Sequence, residues 1–518
     1  MVRIRLRRVG IVVSHLCSVL LTGVCLALPA SAGSLIVGQA PGTTYYVDAN
    51  AGDDAHDGTA PARAWRSLDR VNRTPFEAGD RVLLLAGTRY TGQLRTQGSG
   101  RIEAGKALPI VIGMYGEGPR PRIDGEGRFL DAVLLANVEF WEVQDLEVTN
   151  LGPTREPWRT GVRIVADGLG TMRHVYLRRL FVHDVNGDLR KDQEGCGIFF
   201  ETRGPTPSHF EDLLIEDCHV VRTDRNGICQ RSSGGARSLG VVIRGNLLED
   251  IGGDGIKVWG SNAARVEHNV LRGGRTRCQD GAAGIWPWDS DDTVIQYNEV
   301  SGMKGTRDGQ GFDSDYRCRR SVFQYNFSHD NEGGFMLICS PGNSYCEDTV
   351  VRYNLSVNDG IHTARVFHFG GGARNTRVTN NTLYVGPRQD LPLLLFTEWD
   401  GGNADGTQFY NNLFYVAGRV TYDWGKARHT VFSNNAFFGR HSEIPSDPNA
   451  VTGDPRLVGP LTDLSDLESV DRLKLQVGSP CIGRGRDVGD AVRVDFWGGR
   501  LPHSGSPRCI GAHEFGKD

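Results

Sequence analysis

The sequence predicts an all-β, single-stranded parallel solenoid, and three observations carry that expectation. A short pattern recurs at a nearly constant interval, and each copy carries short runs of β-branched and aromatic residues. Glycine supplies 68 of 518 residues, about twice its usual share, so tight turns are plentiful. No amphipathic helical run separates the copies, which leaves about three short strands and their turns per repeat, the content of one solenoid rung.

The chain opens with Arg3, Arg5, Arg7 and Arg8, followed by an apolar run from Val9 to Leu28 and the small-residue stretch Leu28-Pro-Ala-Ser-Ala32. This reads as a signal peptide, residues 1–32, cleaved after Ala32, so a secreted or periplasmic protein is expected. No later stretch is apolar enough to cross a bilayer, and no stable membrane insertion is expected after cleavage. The chain carries 58 basic and 62 acidic residues, a net charge of −4, and four of the arginines lie in the leader. The mildly acidic remainder argues against nucleic acid as a partner; a monomer is expected. Of 11 cysteines, Cys17 and Cys25 fall in the leader. An oxidising location permits disulfides among the other nine, with Cys339–Cys346 and Cys481–Cys509 as the local pairs.

Residues 33–110 read as an N-terminal cap with entering strands, 111–440 as the repeat body and 441–518 as a closing segment. The repeat core is a β-branched or aromatic residue, two variable residues and an asparagine. It occurs as Ile243-Arg-Gly-Asn246, Val266-Glu-His-Asn269, Ile295-Gln-Tyr-Asn298, Phe323-Gln-Tyr-Asn326, Val351-Arg-Tyr-Asn354, Val378-Thr-Asn-Asn381, Phe409-Tyr-Asn-Asn412 and Phe432-Ser-Asn-Asn435. The asparagines are 23, 29, 28, 28, 27, 31 and 23 residues apart, and weaker copies end at Leu146, Leu180 and Cys218, giving about eleven rungs. An asparagine fixed at one phase suits a left-handed or bridge backbone, with its side chain hydrogen-bonded to the next rung. The ladder is assigned a structural role only.

A second strand follows each asparagine by one turn and usually begins at glycine, as in Gly197-Ile-Phe-Phe-Glu201, Gly227-Ile-Cys-Gln-Arg231, Gly255-Ile-Lys-Val-Trp259, Gly284-Ile-Trp-Pro-Trp288, Gly311-Phe-Asp-Ser-Asp315 and Gly334-Phe-Met-Leu-Ile338. Val366-Phe-His-Phe369, Leu395-Phe-Thr-Glu398 and Val420-Thr-Tyr-Asp423 continue the series. Alternation along a strand turns the residue after the glycine inward and the next one outward.

Together these features resemble the right-handed parallel β-helix proteins that act on polysaccharides, over almost the whole mature chain. Tyr45-Tyr-Val-Asp-Ala-Asn50, Asp57-Gly-Thr, Ala64-Trp-Arg-Ser-Leu68 and Glu77-Ala-Gly-Asp-Arg81 are similar to their opening segment, where a short helix plugs the first coil. Ser479-Pro-Cys-Ile-Gly, Asp495-Phe-Trp-Gly-Gly-Arg500 and Ile510-Gly-Ala-His-Glu514 are similar to their closing segment. The resemblance implies a carbohydrate-active protein and leaves the reaction open, because hydrolases, lyases, epimerases and tailspikes share the architecture.

The outward positions read Phe199/Glu201, Cys229/Arg231, Lys257/Trp259, Trp286/Trp288, Asp313/Asp315, Met336/Ile338, Phe367/Phe369, Phe396/Glu398 and Thr421/Asp423. Tryptophans in a row suit sugar rings, so Trp259, Trp286 and Trp288 are expected to bind substrate, with Lys257, Arg231, Glu201, His329 and Glu398 contributing polar contacts. Asp313 and Asp315, two residues apart on a strand, face the same way with Cα atoms roughly 6.5–7 Å apart. Asp308, in the preceding turn, offers a third carboxylate. Paired carboxylates are what glycoside hydrolysis needs, one held protonated to donate to the leaving oxygen and one as base or nucleophile. The preferred expectation is a hydrolase of an oligosaccharide or polysaccharide that requires no cofactor. The competing one is a polysaccharide lyase, with calcium on Asp308, Asp313 and Asp315 and Lys257 or Arg231 as base. A non-catalytic glycan-binding solenoid is the third.

Overall fold

A computed structural model describes residues 42–516 apart from Glu194, Gly234, His362, Thr363, Asp490 and Ala491. The expected signal peptide, with Cys17 and Cys25, lies outside the described residues. The backbone winds as a parallel β-helix. One sheet stacks fourteen strands in chain order, from Thr44–Val47 through Val294–Gln296 to Val431–Ser433. A second, curled sheet carries two further ladders, and each rung adds one strand to each, parallel to its predecessor. Stacking begins earlier than the asparagine repeat: Thr44–Val47, Arg81–Leu85 and Ile110–Tyr115 already pair in parallel on the first ladder. The expected count of about eleven is therefore exceeded by three strands that lack the asparagine signature.

The inward residues of the site-bearing ladder fall in one column. Ile198, Ile228, Ile256, Ile285, Phe312, Met336, Phe367 and Leu394 follow one another rung by rung, and all are fully buried. Each contributes about 1.5–3 kcal/mol by leaving water. A five-residue helix, Leu68–Asn72, covers the first coil; Ser67 caps it by accepting from the Arg70 N–H at 3.2 Å, and Leu68 and Val71 pack with Trp65 and Phe76. A helix this short is held by that packing rather than by its own propensity.

The asparagine ladder runs through the core. Nδ2 of Asn246, Asn269, Asn298, Asn326, Asn354, Asn381 and Asn412 donates to Oδ1 of the next ladder residue at 2.8–3.0 Å. Asn435 ends the series on Asp447 Oδ2 at 2.9 Å. The left-handed backbone belongs to the preceding residue, not to the ladder asparagine: His268, Tyr297, Tyr325, Tyr353, Asn380, Asn411 and Asn434 have φ between 50° and 61°. That residue turns the chain, and the turn aims the following asparagine inward.

The closing segment folds along the outside of the coil. Leu464, Val470, Leu473 and Ala512 cover Phe327, Leu355, Val357 and Tyr384. All nine described cysteines are buried free thiols, so neither expected disulfide forms. Cys346 points into the core while Cys339 points outward, and two side chains on opposite faces do not meet. Cys481 and Cys509 share a small apolar cluster unbonded. No helix among the described residues is long and apolar enough to cross a membrane.

Candidate active site

The strand Gln310–Ser314 turns Phe312 into the core and Asp313 outward. Asp308 precedes that strand and Asp315 follows it, and both carboxylates act on Asp313. All three line a cavity of about 250 Å³, walled by Trp286, Trp288, Tyr316, Cys339, Trp399 and Lys191. Asp313 and Asp315 are buried, at 4% and 7% exposure, while Asp308 is half-buried.

Few donors reach these carboxylates. Asp315 Oδ1 accepts from the Tyr316 N–H at 2.7 Å and from the Cys339 thiol at 3.3 Å. Asp313 Oδ1 has the same thiol at 3.9 Å, a weak interaction at best. Burial is the main force on all three. It lifts Asp313 well above the ordinary carboxylate range, with repulsion from Asp315 and Asp308 adding to it. It raises Asp315 to about 6 against the opposing pull of Lys191, the Tyr316 N–H and Cys339. Asp308 is raised as well, by burial, with Lys191 and Arg365 pulling the other way. The Cys339 thiol is pushed far up by burial and by both aspartates, so it is a donor and not a thiolate.

Asp313, Asp315 and Cys339 each place one potential metal-ligating atom within 4.8 Å of the others. Calcium takes six to eight hard oxygen ligands, and a protonated thiol at the third corner is a poor match for it.

A second cavity of about 250 Å³ adjoins the first through Trp286, Trp288 and Lys191, and adds Arg231, Lys257, Trp259 and Asp192. Its floor is aromatic: Trp259 and Trp286 lie 5.7 and 6.0 Å from Trp288, and Trp288 lies 4.8 Å from Tyr316. Trp286 is not an open platform. It is 2% exposed, its Nε1 donates to Asp254 Oδ1 at 3.0 Å, and the Lys191 and Lys257 ammonium groups lie 4.9 and 5.7 Å from its ring centroid. Asp254 is fully buried; burial alone raises its pKa, but Arg225, Lys191 and Lys257 outweigh it and hold the group low.

Three expected contacts lie elsewhere. Glu201 is buried and committed to Arg163 at 2.9 Å and Arg203 at 3.5 Å. His329 sits on the neighbouring ladder against Asp330 and Glu299, lining neither cavity, and those acids raise its pKa to about 9 although burial opposes the charge. Glu398 is drawn outward by Lys426, and its neighbour Trp399 reaches the cavity instead. The outward phase also slips by one residue at Gly334, whose φ of +122° inserts an irregular step. Asp313 therefore pairs with Leu337 and not Met336, Leu337 with His368, and His368 with Leu395. Phe367, Phe369 and Phe396 belong to the core.

Lys191, Tyr316, Cys339, Asp254 and Trp399 are the site residues that sequence periodicity did not mark. Cys339 would follow from a corrected register. Lys191 carries no such signal, because it comes from a turn that no repeat position specifies.

Comparison with known proteins agrees with this picture. The profile of the right handed beta helix region matches residues 196–387. The chain is 28% identical over 552 residues to lacto-N-biosidase of Bifidobacterium longum subsp. longum, an alignment covering 83% of this chain and 33% of that protein, so the chain spans about a third of that relative's length. The crystal structure of the GH136 lacto-N-biosidase from Eubacterium ramulus superposes with a TM-score of 0.60 at 26% identity, over 75% of this chain and 68% of that one. XylC in complex with xylose shares the fold alone, with a TM-score of 0.56 at 11% identity over 92% and 99% of the two chains. By fold and by sequence, the chain is a right-handed parallel β-helix protein whose resemblance runs to the carbohydrate-active enzymes of that architecture.

Proposed function

We propose that the protein is an exported glycoside hydrolase whose acid and base are drawn from Asp308, Asp313 and Asp315. The observation that carries this reading is the convergence of three carboxylates in one aromatic-walled cavity, with burial raising the pKa of all three and repulsion from the other carboxylates adding to it at Asp313 and Asp315. Asp315, with a pKa of about 6, suits the general acid, because an acid works best when its pKa lies near the working pH. Asp308 is the least enclosed of the three, which suits the base or nucleophile. Asp313, buried and repelled by both, stays protonated and donates a hydrogen bond to whichever group carries charge. Tyr316, Trp288 and Trp399 wall the sugar whose glycosidic bond is cleaved, and Lys191 holds negative charge in check.

Similarity to two lacto-N-biosidases makes a lacto-N-bioside the first substrate to try, and the residues 1–32 support export. A calcium-dependent lyase receives less support, since a thiol occupies the third corner of the donor cluster. The test is hydrolysis of an aryl lacto-N-bioside and of lacto-N-tetraose by the full chain. Reducing-end release without ultraviolet-absorbing products, unaffected by chelator, is expected, with on the order of a hundredfold loss in Asp308→Asn and Asp315→Asn. Unsaturated products, or full activity in both variants, would overturn the reading.

A further inference from the structure

We propose that Arg231 and Lys191 form a subsite for an acidic substituent, a carboxylate or a sulfate, on the glycan; the inference rests on the glycan-cleaving reading above and adds to it a charge requirement. Arg231 Cζ lies 4.8 Å from the Trp158 ring and 5.8 Å from the Trp259 ring. Two indole faces thus fix the guanidinium plane, an attraction stronger where water is excluded. Among the described residues, that guanidinium makes no hydrogen bond and no ion pair. Its fork of N–H donors matches the two oxygens of a carboxylate or sulfate, and it borders a cavity large enough for one sugar ring.

The acids nearby do not use it. Glu201, its register neighbour, is engaged by Arg163 and Arg203. Exposed Asp192 is the acid that lines the cavity among the described residues. Lys191, also without an ion pair among the described residues, lies over Trp286 on the wall shared by both cavities.

The register gives the spacing. Arg231 follows Cys229, which pairs with Lys257; Trp259 pairs with Trp288; and Ile285 pairs with Phe312. Arg231 and Asp315 therefore lie three rungs apart in one outward column, about 14 Å, the length of a short oligosaccharide rather than of one sugar. One end of the cleft is acidic and the other cationic. An acidic substituent is repelled by the aspartates and drawn to Arg231, so it fixes which way the glycan lies and how far its scissile bond stands from the charge.

The test is titration calorimetry on Asp315→Asn protein, which retains the glycan, using lacto-N-tetraose and derivatives of it bearing one glucuronate or one sulfate. About tenfold tighter binding of at least one acidic derivative at low salt is expected, with the advantage shrinking as salt rises. Arg231→Gln abolishes that advantage, bringing the ratio of acidic to neutral affinity to about one, and Arg231→Lys restores only part of it. The glucuronate and sulfate arms decide which acid the fork prefers. Equal affinity for neutral and acidic glycans, or an advantage untouched by Arg231→Gln, would overturn the subsite and leave the hydrolase reading standing. An intact acidic preference in a wild-type protein that cleaves no glycan would remove the hydrolase reading and keep the subsite.

Discussion

Cys339 lies one rung beyond Asp315, and its thiol donates to Asp315 Oδ1 across 3.3 Å. The sulfur is buried and protonated, so it favours the ionised form of the carboxylate and restrains the rise that burial imposes. Cys339→Ala is expected to move the pKa of Asp315 further upward, and with it the alkaline limb of kcat/KM. Cys339→Ser, which keeps a donor, should move it less. The pH–rate profiles of the two variants check this, and coincident limbs would show that the thiol exerts no control.

Asp315 is raised from an ordinary 3.8 to about 6, so the protonated acid persists to about pH 6 and is lost above it. Activity should therefore fall as pH rises through that value. The stability sign is the same: below 3.8 both folded and unfolded chains hold the proton, between 3.8 and about 6 the unfolded chain releases it first, and above 6 the full penalty applies. Asp315→Asn removes the penalty and is expected to stabilise the fold at pH 8 by on the order of 2–3 kcal/mol, with no gain at pH 3. Urea midpoints at the two pH values measure it.

Asn326 accepts from both the backbone and side-chain N–H groups of Asn298 and donates to Ile295 and Asn354. Asn326→Ala strands those groups in the core and should cost about 2–4 kcal/mol, since buried donors and acceptors are left without partners. A denaturant midpoint unchanged from wild type would contradict the ladder's structural weight.

The nine described cysteines are all buried thiols. Ellman's reagent should therefore label none of them in the native protein and all of them in denaturant, with no reductant needed. A fast native reaction, or fewer thiols after unfolding, would speak for a disulfide.

What the sequence made legible was whatever repeats. Eight asparagines at one phase announce the coil, and the Gly-led strands announce the face that bears Asp313 and Asp315. Single departures from the repeat were not legible. Gly334 shifts the phase, so Met336 reads as outward when Leu337 is. Trp286 reads as an open platform because its hydrogen bond to Asp254 and its lysine cover come from other rungs and turns. Thr44–Val47 and its two successors, expected only as entering strands, are not counted as rungs because pairing in a parallel ladder needs only backbone groups, and no asparagine marks them.

The asparagine ladder also has a direction. Each ladder amide gives one hydrogen to the side chain one rung toward the C-terminus and the other to a backbone carbonyl of the rung before, and the side-chain series closes on the Asp447 carboxylate. From Asn269 to Asn412 each ladder asparagine accepts from the neighbour behind and gives to the one ahead, so one repeated contact joins rungs of unequal length. Asp447 thus works as a punctuation mark: by refusing to donate, it tells the coil where to stop growing.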